Sequence, residues 1–158
     1  MLLSRLGLRA CEVAALGLDD IDWRTGELTV RGKGSRTERL PLPHDVGEAL
    51  VSYLRAGRRG TSSREVFPRV QAPHGPLSAA GVRSVVHAAC DRAGMARVGA
   101  HRLRHTLATE LLRTGAGLEQ IGQVLRHSSV ATTAIYAKVD RAALRSLARP
   151  WPLEVGAW

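Results

Sequence analysis

Arg9, Lys33, His101, Arg104 and His127 are polar residues set in segments that otherwise read as core, and Tyr136 joins them as a sixth. As types they are two guanidiniums, an ammonium, two imidazoles and a phenol. Guanidiniums offer forked donors that match the paired oxygens of a phosphate. Imidazoles bind and release protons near neutral pH. A phenol is a nucleophile, but its free pKa near 10 means that it needs help at neutral pH. The set therefore suits chemistry at a phosphate ester. Spacing supports a shared site in part. His101 and Arg104 lie three apart, so one helix presents both on one face. His127 and Tyr136 are nine apart. On one unbroken helix that is about 2.5 turns, which points them in opposite directions. Ser128-Ser129 offers a break and a new N-cap between them.

The elements that must position these residues read as mainly α-helical, with a small antiparallel three-stranded sheet near the start. Residues 2–6 read as the last turns of a helix broken by Gly7, and a second short helix fits Ala10 to Leu16. Leu28 and Val30 alternate with polar neighbours, as do Leu40 and Leu42, and the Gly32-Lys33-Gly34 run punctuates the turn between them. Val46, Leu50, Val51 and Leu54 keep a helical period. Val66 and Phe67 read as a short buried strand. Ser78 reads as the N-cap of a helix to Ala93, with Val82, Val85 and Val86 inward. The last third is helical: His101 to Thr114 with Gly115 at C′, Leu118 to Leu125, a helix carrying Tyr136, and one from Asp140 to Ala148. Pro150 and Pro152 leave a short tail over 149–158.

Composition narrows the partners. The formal net charge is +9 over 158 residues, carried mostly by arginine, and points to a polyanion such as nucleic acid. Aromatic residues are only 4%, with Phe67 the single Phe, which argues against stacking single strands on aromatic platforms. Phosphate contacts on a duplex fit better. Cys11 and Cys90 form no disulfide framework and read as packing residues in a reducing cytoplasm. Arg5, Arg9 and Glu12 interrupt any apolar leader, and no transmembrane segment is expected.

Four boxes, in order, carry a family resemblance. They are Gly7-Leu8-Arg9-Ala10-Cys11-Glu12, then Gly32-Lys33-Gly34 followed by Arg39-Leu40-Pro41-Leu42, then His101-Arg102-Leu103-Arg104-His105. The fourth is Leu125-Arg126-His127-Ser128-Ser129 with Thr132-Thr133 and Ile135-Tyr136. Together they resemble the tyrosine recombinases of phage integrases and Xer-type enzymes, over nearly the whole chain to about residue 147. The resemblance implies double-stranded DNA as partner, a tetramer on paired sites, and no metal, ATP or other cofactor. It implies that Tyr136 attacks a phosphodiester and forms a 3′-phosphotyrosine link. Arg9 and Arg104 would clamp the non-bridging oxygens, and losing one such preorganised donor costs about 2.7–4 kcal/mol, roughly 100- to 1,000-fold. By the same resemblance His127 is a further phosphate donor, and His101 takes the Tyr136 proton or bonds the phosphate. Lys33 protonates the leaving 5′ oxygen. Glu12 and His105 support the site, and Arg36, Arg102 and Arg126 are DNA contacts.

Other readings stand beside these. Arg9 also fits an exposed helix-end arginine, Lys33 an ordinary turn lysine and Tyr136 an amphipathic-helix tyrosine. His101 and His105, four apart, suggest zinc, but Arg102 stands where a protease HExxH has its Glu. Asp19, Asp20 and Asp22 could imitate a two-metal site, although such a run before a sheet is more often turn and cap chemistry. His44, His74 and His87 fit no pattern. The resemblance implies an N-terminal helical domain in family members, which this sequence is expected to lack. Residues 1–148 are therefore expected to be a catalytic domain without its first helix, leaving Leu2, Leu3 and Leu6 exposed or differently packed. Leu125-Arg126-His127 stands where Leu-Gly-His is commoner. The alternatives to a recombinase are an inactive DNA-binding remnant, a type IB topoisomerase-like enzyme, and a structural helical domain.

Overall fold

Leu28 and Val30, two residues apart, seed the sheet because alternate side chains of a strand share one face. In the computed structural model, which describes residues 1–32, 36–58 and 62–126, both lie in β2 (Glu27–Arg31) and are buried. β1 (Ile21–Asp22) and β3 (Thr37–Pro41) flank it, antiparallel, in the order β1-β2-β3. Leu28 faces Ile21 on one side and Leu40 on the other. The turn between β1 and β2 is held by Asp22, whose Oδ1 accepts the N–H groups of Arg24 and Thr25 at 2.9 and 3.0 Å. Gly26 supplies the positive φ of 68° that this turn requires.

Six helices accompany the sheet among the described residues: α1 (Leu2–Arg5), α2 (Ala10–Ala14), α3 (His44–Ala56), α4 (Ala79–Arg92), α5 (Ala100–Arg113) and α6 (Leu118–Val124). A single 3-10 turn, Leu18–Asp20, leads into β1. The expected mainly helical fold with a three-stranded antiparallel sheet is what forms. Ser78 caps α4, its Oγ accepting the Gly81 N–H at 3.1 Å. Gly115, at φ 88°, ends α5 at C′: its N–H bonds Leu112 O, and the N–H of Ala116 bonds Leu111 O, both at 3.0 Å.

The chain divides into two compact units, Met1–Leu107 and Ala108–Trp158. The first has a core of Leu8, Leu16, Leu28, Val46, Val66, Val82 and their neighbours, with α2 packed on α4. In the second, Ile121 and Leu125 are buried.

Four expectations need correction. Leu2, Leu3 and Leu6 are buried in the first unit's core, because α1 folds back on α2 through Gly7. Val85 is exposed: α4 buries Val82, Val86 and Cys90, four apart along one stripe, and Val85 falls off it. Cys11 is exposed, so only Cys90 packs. Val66 is fully buried, but no strand forms at 66–67. Instead Gly17 and Glu65 make an isolated bridge, with the Val66 N–H on Leu16 O at 2.8 Å.

Candidate active site

Gly7 organises the first box. Its φ of 59° stops α1 and turns the chain before Arg9, which becomes the N-cap of α2. The third residue of that helix, Glu12, reaches back. One carboxylate oxygen accepts the Arg9 backbone N–H at 2.8 Å, and the other accepts the Arg9 guanidinium at 2.7 Å. The reciprocal capping logic of a helix start is here carried by a buried glutamate, 5% exposed. The Arg9 side chain stays 39% exposed, so its fork is oriented yet open to solvent on one side.

Arg104 comes to the same place from the far end of the unit. It lies on α5 and is only 2% exposed. A buried guanidinium is tolerated only when its donors find acceptors. One acceptor is the carbonyl of Gly7, 97 residues earlier in sequence. This contact brings the Arg104 box against the loop that presents Arg9.

On the same helix, the Nε2 atoms of His101 and His105 meet at 2.6 Å, with the rings edge-to-face at 88° and their centroids 4.1 Å apart. A separation of 2.6 Å is that of a hydrogen bond. Two imidazole nitrogens on one tetrahedral zinc, each at about 2.05 Å, would lie roughly 3.3 Å apart. The His105 pKa is lowered. Burial is the main cause, and the proximity of His101, Arg104 and Arg102 adds to it. His101 is the more exposed ring.

Of the expected DNA contacts, Arg36 and Arg102 are exposed. Arg126, half-buried, follows α6 in the left-handed region, at φ 53°. That conformation is one that glycine adopts without strain. Lys33, His127 and Tyr136 lie outside the described residues. His44 heads α3, His87 lies on α4 and His74 in the loop before α4.

The three aspartates each have a local task. Asp20 is 4% exposed, accepts the Gly17 N–H at 2.8 Å, and holds Arg31 through both guanidinium nitrogens at 2.7 Å. Asp22 holds its turn, and Asp19 pairs with Arg64. The Asp20–Arg31 pair and the Gly7 carbonyl were missed in the sequence. Only the acidic run and the helix-breaking glycine hinted at them. A groove of about 600 Å³ near Trp23, Leu42, Gly47 and Val51 is lined by His44 but by none of Arg9, Glu12, His101, Arg104 and His105.

A family model described as the phage integrase family matches residues 1–143. A Sinorhizobium fredii protein named as an integrase/recombinase, y4rA, is 54% identical over 155 residues, spanning 96% of this chain and 38% of that protein. The crystal structure of XerA recombinase matches with a TM-score of 0.75 and 30% identity, over 92% of this chain and 54% of that one. The crystal structure of XerH site-specific recombinase bound to palindromic difH substrate, a post-cleavage complex, matches with a TM-score of 0.74 and 25% identity. That match covers 92% of this chain and 42% of XerH. This chain thus spans between 38% and 54% of the length of these proteins.

Proposed function

Because this chain belongs to the phage integrase family, we propose that it is the DNA-cleaving and rejoining part of a tyrosine-type site-specific recombinase. The observation that carries the reading is the Arg104–Gly7 contact. It links two boxes far apart in sequence, Arg104 reaching the carbonyl two residues before Arg9, and in this reading the two guanidiniums would serve as a cationic cradle. Such a cradle favours the negative charge that builds on non-bridging oxygens during attack.

In this reading Tyr136 loses its proton and its oxygen bonds the phosphorus. The bond to the 5′ oxygen breaks, giving a 3′-phosphotyrosine and a 5′ hydroxyl. Lys33 supplies the leaving oxygen's proton, His127 is a further donor to the phosphate, and His101 handles the tyrosine proton. The phosphoester keeps the bond energy, so rejoining needs no ATP, and the chemistry runs without metal. Glu12 is the positioning residue for Arg9. Arg36, Arg102 and Arg126 contact duplex DNA, consistent with the net charge of +9. The working form is a homo-oligomer on paired sites in the cytoplasm. Among the described residues no helix is long and apolar enough to cross a membrane.

The test is incubation with a nicked suicide duplex followed by a denaturing gel. A covalent protein–DNA band that disappears in Tyr136→Phe is expected. A folded protein that binds duplex and gives no band at any salt would instead be a DNA-binding remnant.

A further inference from the structure

The outer face of the sheet is divided by charge, and the proposed reaction leaves that division unused. Leu28 and Val30 turn inward, so Glu27, Thr29 and Arg31 lie on the other face of β2. The register carries this face across to β3, where Thr37 stands opposite Arg31 and Arg39 opposite Thr29. Arg31 and Arg39 are therefore diagonal neighbours, about 7–8 Å apart by strand geometry. Exposed Arg36 continues the same end of the hairpin, its carbonyl accepting the Gly32 N–H at 2.7 Å. Glu38 stands opposite Val30 and so belongs to the inner register. The carboxylates of the outer face, Asp22 and Glu27, are paired with each other in register at the far end.

Arg31 is held unlike an ordinary surface arginine. Its two terminal nitrogens meet the two carboxylate oxygens of Asp20, each at 2.7 Å. Asp20 is buried and also accepts the Gly17 N–H at 2.8 Å. Glu12 performs the same double task for Arg9. The chain thus builds one arrangement twice: a buried carboxylate at the third position of a short helical turn, holding a solvent-facing guanidinium. A guanidinium has five N–H donors. The bidentate bond engages two of them and fixes the plane of the other three, on a side chain that is 60% exposed.

We propose that Arg31 is a further contact to the DNA backbone, with Asp20 as its positioning residue, on a phosphate-binding surface that Arg31, Arg36 and Arg39 form at the hairpin end of the outer sheet face. The proposal rests on the reading that this chain acts on duplex DNA. Charge complementarity selects the partner, because three guanidiniums gather at one end of a face whose own carboxylates lie at the other. Thr29 and Thr37, between the arginines in register, add hydroxyls that can donate to phosphate oxygens. A fork fixed beforehand also lowers the cost of ordering a long side chain on binding. Such contacts reach the backbone and act alike on any base sequence.

Duplex binding by the full chain across a salt series tests this. Asp20→Asn combined with Arg31→Gln leaves the net charge unchanged and puts an amide pair where the ion pair stood. The slope of log affinity against log salt should fall by about 0.9, which near 0.1 M salt is roughly 8-fold in affinity. A folded double variant with unchanged slope and affinity overturns the proposal. Asp20→Asn alone adds one positive charge, which by bulk electrostatics tightens binding. Loss of the fixed fork should instead weaken it, and tighter binding overturns the positioning role. If the double variant does not fold, Arg31→Lys keeps the charge and a bond to Asp20 but loses the fork. It should bind several-fold more weakly, and an unchanged affinity overturns the contact. A Tyr136-dependent covalent band with a slope untouched by the double variant sinks this surface and spares the recombinase reading. A chain that binds no duplex at low salt sinks both.

Discussion

Glu12→Gln separates a designed cap from an incidental surface pair. The glutamate is 5% exposed and, among its described bonds, accepts at 2.8 Å from the Arg9 backbone and at 2.7 Å from its guanidinium. Glutamine keeps the shape and one accepting oxygen. Its amide group turns a donor toward one of those two donors, so one bond is lost, and the charge assistance on the other goes with it. A hydrogen bond to a charged group contributes about 1.5–3 kcal/mol. Arg9 is 39% exposed and resolvates on losing its partner, which keeps the expected loss within that range, below the roughly 3–5 kcal/mol for breaking a fully buried pair. In urea, with a slope of about 1–3 kcal/mol per molar, this moves the unfolding midpoint down by on the order of 1 M. An Arg9→Met variant and the double variant complete a cycle that isolates the pair. A loss below about 0.5 kcal/mol, or a coupling near zero, would refute the reasoning. It would mean that the pair behaves like an exposed ion pair, worth roughly 0.2–1 kcal/mol.

Arg126→Gly removes a Cβ from a left-handed position and is expected to stabilise the chain by about 1 kcal/mol, a rise of roughly 2–4 °C in a melting experiment. His105 has a lowered pKa, so the unfolded chain takes up a proton near pH 6.5 that the folded chain refuses. Its contribution to stability is present above that pH and is lost as pH falls toward the depressed folded value. Urea midpoints between pH 7.5 and 5 should therefore fall more steeply in the unsubstituted chain than in His105→Gln. Arg36→Ala and Arg102→Ala, both at exposed positions, should each reduce the slope of log affinity against log salt for duplex DNA by about 0.9, with the same effect on any sequence.

What the sequence made legible was local. Leu28 and Val30 announce a strand by alternation, Ser78 a helix start, and Gly115 a helix end, because each acts on neighbours within a few residues. The pairing of His101 with Arg104 on one helix was legible for the same reason. Contacts between distant segments were not. Leu2, Leu3 and Leu6 looked stranded because nothing in their own stretch says that α1 folds back on α2. Val85 looked inward because a run of valines hides which of them lies on the buried stripe of α4. Asp20 seemed one of three exchangeable turn aspartates, yet it alone is buried on Arg31, eleven residues away across the sheet entrance. The contact that links the Arg104 box to the Arg9 box is a main-chain carbonyl that neither box announces.

The acceptor that Arg104 finds at Gly7 is main chain. No change of side chain can delete a backbone carbonyl, so the docking point of this arginine is insulated from ordinary sequence drift. It is not insulated from changes of length. One residue gained or lost between α1 and α2 would carry the carbonyl away while every named side chain remained. Over evolutionary time this loop should accept substitutions compatible with its turn and reject insertions, the reverse of what surface loops usually allow.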